Sequence, residues 1–287
     1  MDFLYNPETP STVRASRMRR ETQLMAVVPR PMRSTPTIFL CGDSTVKNGT
    51  KGQQGWGDPF AQHAAGAKIA VDNRARGGRS SRTFITEGLW ENVIKSARQG
   101  DIVFLQFGHN DGGGLNDSRR RASLKGNGDE AAGSVDAQGR PETVLTYGAY
   151  LRRMSREALD KGLNVLLITP VPRNRWAAGK VLRANTDYAL WTREAGKRAR
   201  VPVFDLNALL ADVYDGIGEK AVAPLFYADW THTSPDGAAL TARLLHKALI
   251  ECKELRWTTL LEPLSDSAAN TTNIQNIKPG TSYLSLP

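Results

Sequence analysis

Three polar clusters in this chain combine residue types that can do acyl chemistry together. Gly42-Asp43-Ser44 offers a hydroxyl, Gly108-His109-Asn110-Asp111 offers an amide flanked by an imidazole and a carboxylate, and Asp229-Trp230-Thr231-His232 places a carboxylate three residues before an imidazole. A serine hydroxyl is a poor nucleophile until a neighbouring base takes its proton, and neutral histidine suits that task near pH 7. A carboxylate on the other ring nitrogen fixes the tautomer and stabilises the imidazolium that forms. The spacing of Asp229 and His232 lets one tight turn carry both. Each cluster also has a plainer reading. Glycine, aspartate and serine are turn formers. Asp229 and His232 stand just before a helix that starts near Pro235, where they can act as caps. Asp229, His232 and His109 are metal-ligand types, although no further ligand stands at a recognisable spacing. His63 and His246 read as ordinary surface or packing histidines.

Strands have to present these clusters. Ile38–Cys41 is a short apolar run that stops at Gly42, as a fully covered strand of a parallel sheet does. Asp101–Phe107 is the clearest buried strand and runs straight into Gly108. Ala67–Asn73, Leu163–Thr169 and Val201–Leu206 read as further strands. Helical spacing of apolar residues marks Ile85–Arg98, ended by Gly100, and Tyr147–Lys161. Ala184–Ala199, a short Asn207–Tyr214 and Pro235–Cys252 complete the helices. The alternation predicts one parallel sheet with helices on both faces, and such sheets gather ligands at the carboxyl ends of their strands. Gly112–Pro141 is expected to be a long structureless loop; its basic cluster of Arg119, Arg120, Arg121 and Lys125 lies beside the suspected site. The expected organisation is a flexible lead-in over 1–35, one catalytic domain over 36–262 and a flexible tail over 263–287.

Composition narrows the partners. Of the 287 residues 40% are hydrophobic and 23% charged, as in an ordinary globular protein. No apolar run approaches the roughly 18 residues of a membrane span. The formal net charge of +9 favours polyanionic company, although Arg14, Arg17, Arg19 and Arg20 of the lead-in carry part of it. No nucleic-acid-binding module accompanies the charge, and the glycines at 77 and 78 fit neither nucleotide-phosphate pattern. Cys41 and Cys252 are too few for a disulfide framework, and Cys41 reads as a small buried hydrophobe.

In sequence order the clusters resemble those of the SGNH (GDSL-type) hydrolases. From Thr37 to about Ile250 the chain is similar to their rhamnogalacturonan acetylesterase branch. The resemblance rests on Gly-Asp-Ser-Thr-Val (42–46), Gly-Gly-Arg-Ser-Ser-Arg-Thr-Phe (77–84), Gln-Phe-Gly-His-Asn-Asp (106–111), Thr-Tyr-Gly (146–148), Pro-Val-Pro-Arg-Asn (170–174) and Thr-His-Thr (231–233). It implies a three-layer α/β/α sandwich around a mostly parallel five-stranded, flavodoxin-like sheet. It implies a serine esterase that removes O-acetyl groups from a pectic polysaccharide or oligosaccharide through an acyl-enzyme, without cofactor or metal. Ser44, Asp229 and His232 would be catalytic. The backbone N–H of Ser44, that of Gly78 and the Asn110 amide would form the oxyanion hole, with His109 and Asp111 bracing Asn110. Arg79, Arg173, Trp176 and Trp230 are the expected substrate contacts, with Arg82, Arg175 and Trp56 as further site-facing candidates. The partner would be an acetylated acidic carbohydrate, with neither nucleic acid nor membrane involved. An esterase of the same fold acting on xylan, and a non-catalytic carbohydrate-binding protein, are the alternatives. Such relatives are usually exported, whereas the apolar patch Leu24–Val28 is shorter than the roughly 7–15 residues of a secretory signal, which leaves localisation open.

Overall fold

The computed structural model describes residues 35–64, 68–136, 138–183, 186–263 and 283–286. The expected lead-in, apart from Thr35, and most of the expected tail lie outside these residues. In chain order the elements are β1 (Thr37–Gly42), α1 (Gly57–Ala64), β2 (Ala70–Asn73), α2 (Ser81–Thr86), α3 (Leu89–Ser96) and β3 (Ile102–Gln106). They continue with β4 (Ala131–Val135), β5 (Pro141–Leu145), α4 (Tyr147–Asp160), β6 (Asn164–Ile168), β7 (Trp176–Ala177) and β8 (Lys180–Val181). The last are α5 (Thr186–Ala199), β9 (Val203–Phe204), α6 (Leu206–Ile217), α7 (Glu219–Val222), α8 (Pro235–Glu251) and β10 (Leu284–Ser285).

The main sheet has the order β10-β9-β6-β3-β1-β2. Five of its strands are parallel, as expected, and β10 adds a sixth, antiparallel one against β9. Alternation of side chains along each strand feeds two cores. Ile38, Leu40, Ile102, Phe104, Leu166 and Ile168 face α1, α6 and α8. Phe39, Cys41, Val103, Leu105, Val165 and Leu167 face α2, α3, α4 and α5. With both faces covered, the central strands have to be apolar throughout, which is why they read as unbroken hydrophobic runs. The chain leaves β1 for β2 on one side and later returns to β3 on the other. The carboxyl ends of β1 and β3 are therefore the topological switch point, where such sheets bind ligands.

Two expectations change. Ile85–Arg98 is not one helix: Gly88, at φ +73, breaks it into α2 and α3. The α2 helix starts earlier, at a capping box in which Ser80 Oγ accepts the Thr83 N–H and the Ser80 N–H bonds Thr83 Oγ1. Gly112–Pro141 is not structureless either, because β4 pairs with β5 as a hairpin. The hairpin is anchored by Arg82, whose fully buried guanidinium grips Glu142 at 2.9 and 2.5 Å and also donates to Ala122 O at 2.9 Å.

Candidate active site

Ser44 sits in the turn that ends β1. Asp43 organises the turn: its carbonyl accepts the N–H groups of Val46 and Lys47, and its Oδ1 accepts the Thr45 N–H and hydroxyl, both at 2.8 Å. Gly42 has to be glycine, since a Cβ there would lie 2.7 Å from the Gln106 carbonyl and 2.5 Å from the Val46 side chain. The turn is tied to β3 by Gln106, which donates to Thr45 Oγ1 at 2.6 Å and accepts from Trp56 Nε1 at 2.9 Å. Trp56 is therefore a buried brace, and its expected place among the sugar-facing aromatics is corrected.

His232 comes from a hairpin-like turn closed by a bridge between Phe226 and Thr233. Its Nε2 stands 2.9 Å from Ser44 Oγ, and its Nδ1 stands 2.7 Å from Asp229 Oδ2. A carboxylate can only accept, so Nδ1 carries the proton and Nε2 offers its lone pair to the serine hydroxyl. The other Asp229 oxygen accepts the backbone N–H groups of Thr231 at 2.6 Å and His232 at 2.7 Å. Partial burial pushes Asp229 up, but the hydrogen bonds from His232 and Thr231 outweigh it and hold the carboxyl below its ordinary range. The capping alternative falls away: Ser234 is the cap of α8, its Oγ accepting the Gly237 N–H. Among the described residues no three His, Cys, Asp or Glu side chains gather around a common metal position.

The third corner lies beside Ser44. Gly77 packs against the nucleophile closely enough that a Cβ on it would be 3.6 Å from Ser44 Cβ. Gly78 follows at φ +78, a left-handed conformation that glycine adopts without strain. Asn110 is buried and donates one amide hydrogen to Arg79 O at 3.0 Å, which leaves its other amide hydrogen for a ligand. The N–H groups of Ser44 and Gly78 donate to no acceptor among the described residues. Gly77 thus sets this segment against Ser44 and Asn110 is tied to the same segment through Arg79 O, so the unused donors share one corner of the site, an arrangement able to hold a developing oxyanion.

Beneath the site His109 donates from Nε2 to Val171 O at 3.0 Å. Its Nδ1 approaches Asp43 Oδ2 to 3.3 Å, but without the alignment of a hydrogen bond, so this contact is electrostatic. Burial raises Asp43, yet its interaction with the His109 ring and the bonds from Thr45 prevail and hold it low. Asp111 braces the Asn110 turn through the Gly108 N–H at 3.0 Å.

The expected substrate contacts separate. Arg79 is tied to Glu87 at 2.9 Å and to Gly77 O at 3.0 Å. Trp176 is half-buried and bonds Asn174 Oδ1 at 2.8 Å. Trp230 is 56% exposed, with the Arg175 guanidinium 5.4 Å from its ring centroid. Arg82, expected to face the site, is buried under the hairpin instead. Of the basic cluster expected beside the site, Arg121 reaches it, its guanidinium standing 3.4 Å from Gly78 O.

A serine, histidine and aspartate joined in series at the carboxyl edge of a parallel sheet, with unused donors alongside, define a serine acyl hydrolase. The chain belongs to the GDSL-like lipase/acylhydrolase family, whose sequence profile matches residues 40–240, and is a carboxylic ester hydrolase. More particularly, it is 34% identical over 220 residues to a rhamnogalacturonan acetylesterase of Emericella nidulans, covering 77% of this chain and 87% of that one. Among solved structures it resembles protein YXIM of Bacillus subtilis, with a TM-score of 0.62 and 24% identity over 77% of this chain and 57% of that one. It also resembles a catalytic mutant of Axe2, an acetylxylan esterase from Geobacillus stearothermophilus, with a TM-score of 0.52 and 18% identity over 75% and 94% of the two chains. At these identities the two structures bear on the fold alone.

Proposed function

We propose that the protein removes O-acetyl groups from an acidic pectic carbohydrate of the rhamnogalacturonan type. The reading is carried by the 2.9 Å contact between Ser44 Oγ and His232 Nε2, backed by Asp229, and is directed to this substrate by the name of the Emericella nidulans relative. Ser44 Oγ attacks the acetyl carbonyl carbon as His232 Nε2 takes the hydroxyl proton. Asp229 stabilises the resulting imidazolium. The carbonyl oxygen becomes an oxyanion held by the N–H groups of Ser44 and Gly78 and by the Asn110 amide, donors of a kind commonly worth about 2.7–4 kcal/mol each. Collapse breaks the ester C–O bond, and His232 returns the proton to the departing sugar hydroxyl. Water then attacks the acetyl-serine with the same base, releasing acetate and regenerating Ser44.

The test is acetate release from acetylated rhamnogalacturonan, acetylated xylan and a chromogenic acetate, by wild type and Ser44→Ala. The expected result is release from the pectic substrate that falls by about 10^4-fold or more in the variant. Equal or better turnover of xylan would move the substrate to neutral carbohydrate. Absence of Ser44-dependent hydrolysis of all three esters would leave a carbohydrate-binding protein.

A further inference from the structure

Most cationic side chains near the cleft already have partners within the protein: Arg79 has Glu87, Arg82 has Glu142, and Arg121 has the Gly78 carbonyl. Arg173 does not. Its half-buried guanidinium makes no ion pair and no hydrogen bond among the described residues, and its Nε is buried without an acceptor. Removing a cation from water without pairing it is costly, so such a group calls for a counter-charge from elsewhere.

Its position says where that counter-charge would come from. The Pro170–Asn174 loop is fixed on both sides of Arg173. Val171 O takes the His109 bond at 3.0 Å, and the Asn174 N–H donates to Trp230 O at 2.8 Å in the turn that carries His232. Arg173 thus lies between the floor of the nucleophile turn and the His232 turn. Asp43 and Asp229 both attract its charge, but burial and the like charge of Arg175 prevail and push Arg173 below the ordinary arginine range. Neither carboxylate forms an ion pair with it: the Asp229 oxygens are engaged by the 231–232 backbone and the His232 ring, and Asp43 Oδ2, which has no hydrogen-bond partner, faces the His109 ring at 3.3 Å. Beside this loop the exposed ring of Trp230 offers a flat face of the kind on which a pyranose can lie.

We propose that Arg173 is a carboxylate anchor, taking the carboxylate of a hexuronic acid residue next to the acetylated sugar, with Trp230 as the platform for that residue's ring. A guanidinium fork matches a carboxylate in two parallel hydrogen bonds, which a point charge does not reproduce. This rests on the esterase reading above and adds to it a reason for choosing acidic over neutral carbohydrate.

The experiment compares an acetylated galacturonate-containing oligosaccharide with the same oligosaccharide after carboxyl reduction, for wild type, Arg173→Gln and Arg173→Lys. Wild type is expected to favour the charged substrate. Arg173→Gln should lower kcat/KM on it by about 10- to 100-fold, mainly through KM, and bring the charged-to-reduced ratio close to one. Arg173→Lys should keep part of the preference. The melting temperature of Arg173→Gln should be unchanged or higher, because the substitution removes an unpaired half-buried charge. A ratio that Arg173→Gln does not alter would overturn the proposal. So would an equal fall in kcat on both substrates, which would make Arg173 an electrostatic support for Asp43 and Asp229. Calorimetric binding of the charged oligosaccharide to Ser44→Ala, with and without Arg173→Gln, reads the anchor without turnover: binding insensitive to Arg173 sinks it. Wild type that hydrolyses neither ester would instead remove the esterase reading, and the binding arm would still decide the anchor.

Discussion

Asp111 and Ser81 are joined twice: one oxygen of the buried Asp111 carboxylate accepts the Ser81 N–H at 3.0 Å and the Ser81 hydroxyl at 2.5 Å. The other oxygen accepts the Gly108 N–H at 3.0 Å. One side chain therefore clamps the start of α2, three residues after Gly78, to the turn that carries Asn110. These are the two segments that carry Gly78 and Asn110, the proposed oxyanion donors. Above about pH 7, where Asp111 is ionised, Asp111→Asn can satisfy Ser81 or Gly108 but not both, since one carboxylate oxygen becomes an NH2 group. The expected outcome is a loss of about 1–3 kcal/mol in denaturant unfolding for the buried donor left unmatched. With it should come a fall in kcat of about 10^2-fold from displaced oxyanion donors. Unchanged kcat in a destabilised protein would make Asp111 purely structural.

The two N–H groups on Asp229 Oδ1 also fix the outcome of Asp229→Asn. The amide oxygen has to face the backbone of Thr231 and His232, which turns the NH2 group toward His232 Nδ1. That ring nitrogen then has to accept, the proton moves to Nε2, and the face toward Ser44 presents a hydrogen instead of a lone pair. A folded protein with kcat lower by about 10^4-fold is expected. Steady-state kinetics beside circular dichroism would check it, and retention of more than a tenth of wild-type kcat would remove Asp229 from the role.

What could be read from the sequence follows the range of the interactions. The central strands were legible because a sheet covered on both faces writes its burial into consecutive residues, as in Ile38–Cys41 and Asp101–Phe107. Ser44, Asn110 and His232 were legible as polar clusters at the ends of such runs. Pairings between distant segments were not. Trp56 sits in a glycine-rich stretch, and nothing local reveals that its indole is buried against Gln106, fifty positions on. Arg82 looked site-facing because its buried partner, Glu142, lies in a polar insertion whose hairpin has no strong apolar period. The strand at Leu284–Ser285 is two residues long and is defined by β9, not by its own composition.

The Arg82–Glu142 pair makes its own prediction. Arg82 has no exposed side-chain surface, and Glu142 has 14%. Arg82→Met keeps the length of the side chain but leaves a mostly buried carboxylate unpaired, and breaking such a pair costs about 3–5 kcal/mol. The damage should begin locally, since β4 and β5 form their own two-stranded sheet. Hydrogen exchange is expected to show lost protection over 131–145 before the central strands open. Uniform loss of protection would mean that the hairpin unfolds only with the whole domain.

Asp111 and the His63–His246 pair should give the fold opposing pH dependences, which single substitutions can separate. Burial, only partly offset by the bonds from Ser81, raises Asp111 to about 7, against roughly 3.9 in an unfolded chain. The folded protein therefore holds a proton that the unfolded chain releases. The stability linked to it is present below about pH 3.9 and is lost as pH rises through 7. His246 and His63 act in the opposite sense. Burial lowers both, and the two rings lie 6.0 Å apart, so each also disfavours the other's charge. Their contribution is present above the unfolded histidine value of about 6.5 and is lost as pH falls below it. Between about pH 5 and 7 the slopes oppose each other in wild type, a window that lies above the titration of the carboxylates held low, such as Asp43 and Asp229. Asp111→Asn should unmask the histidine slope, with the urea midpoint rising more steeply toward neutral pH than in wild type. His246→Gln, which keeps a donor for the Glu262 carbonyl that His246 Nε2 now bonds at 2.9 Å, should unmask the other. Its midpoint should rise less than that of wild type, or fall, as pH goes from 5 to 7. If both variants show the wild-type slope, neither group is titrating with folding in this window.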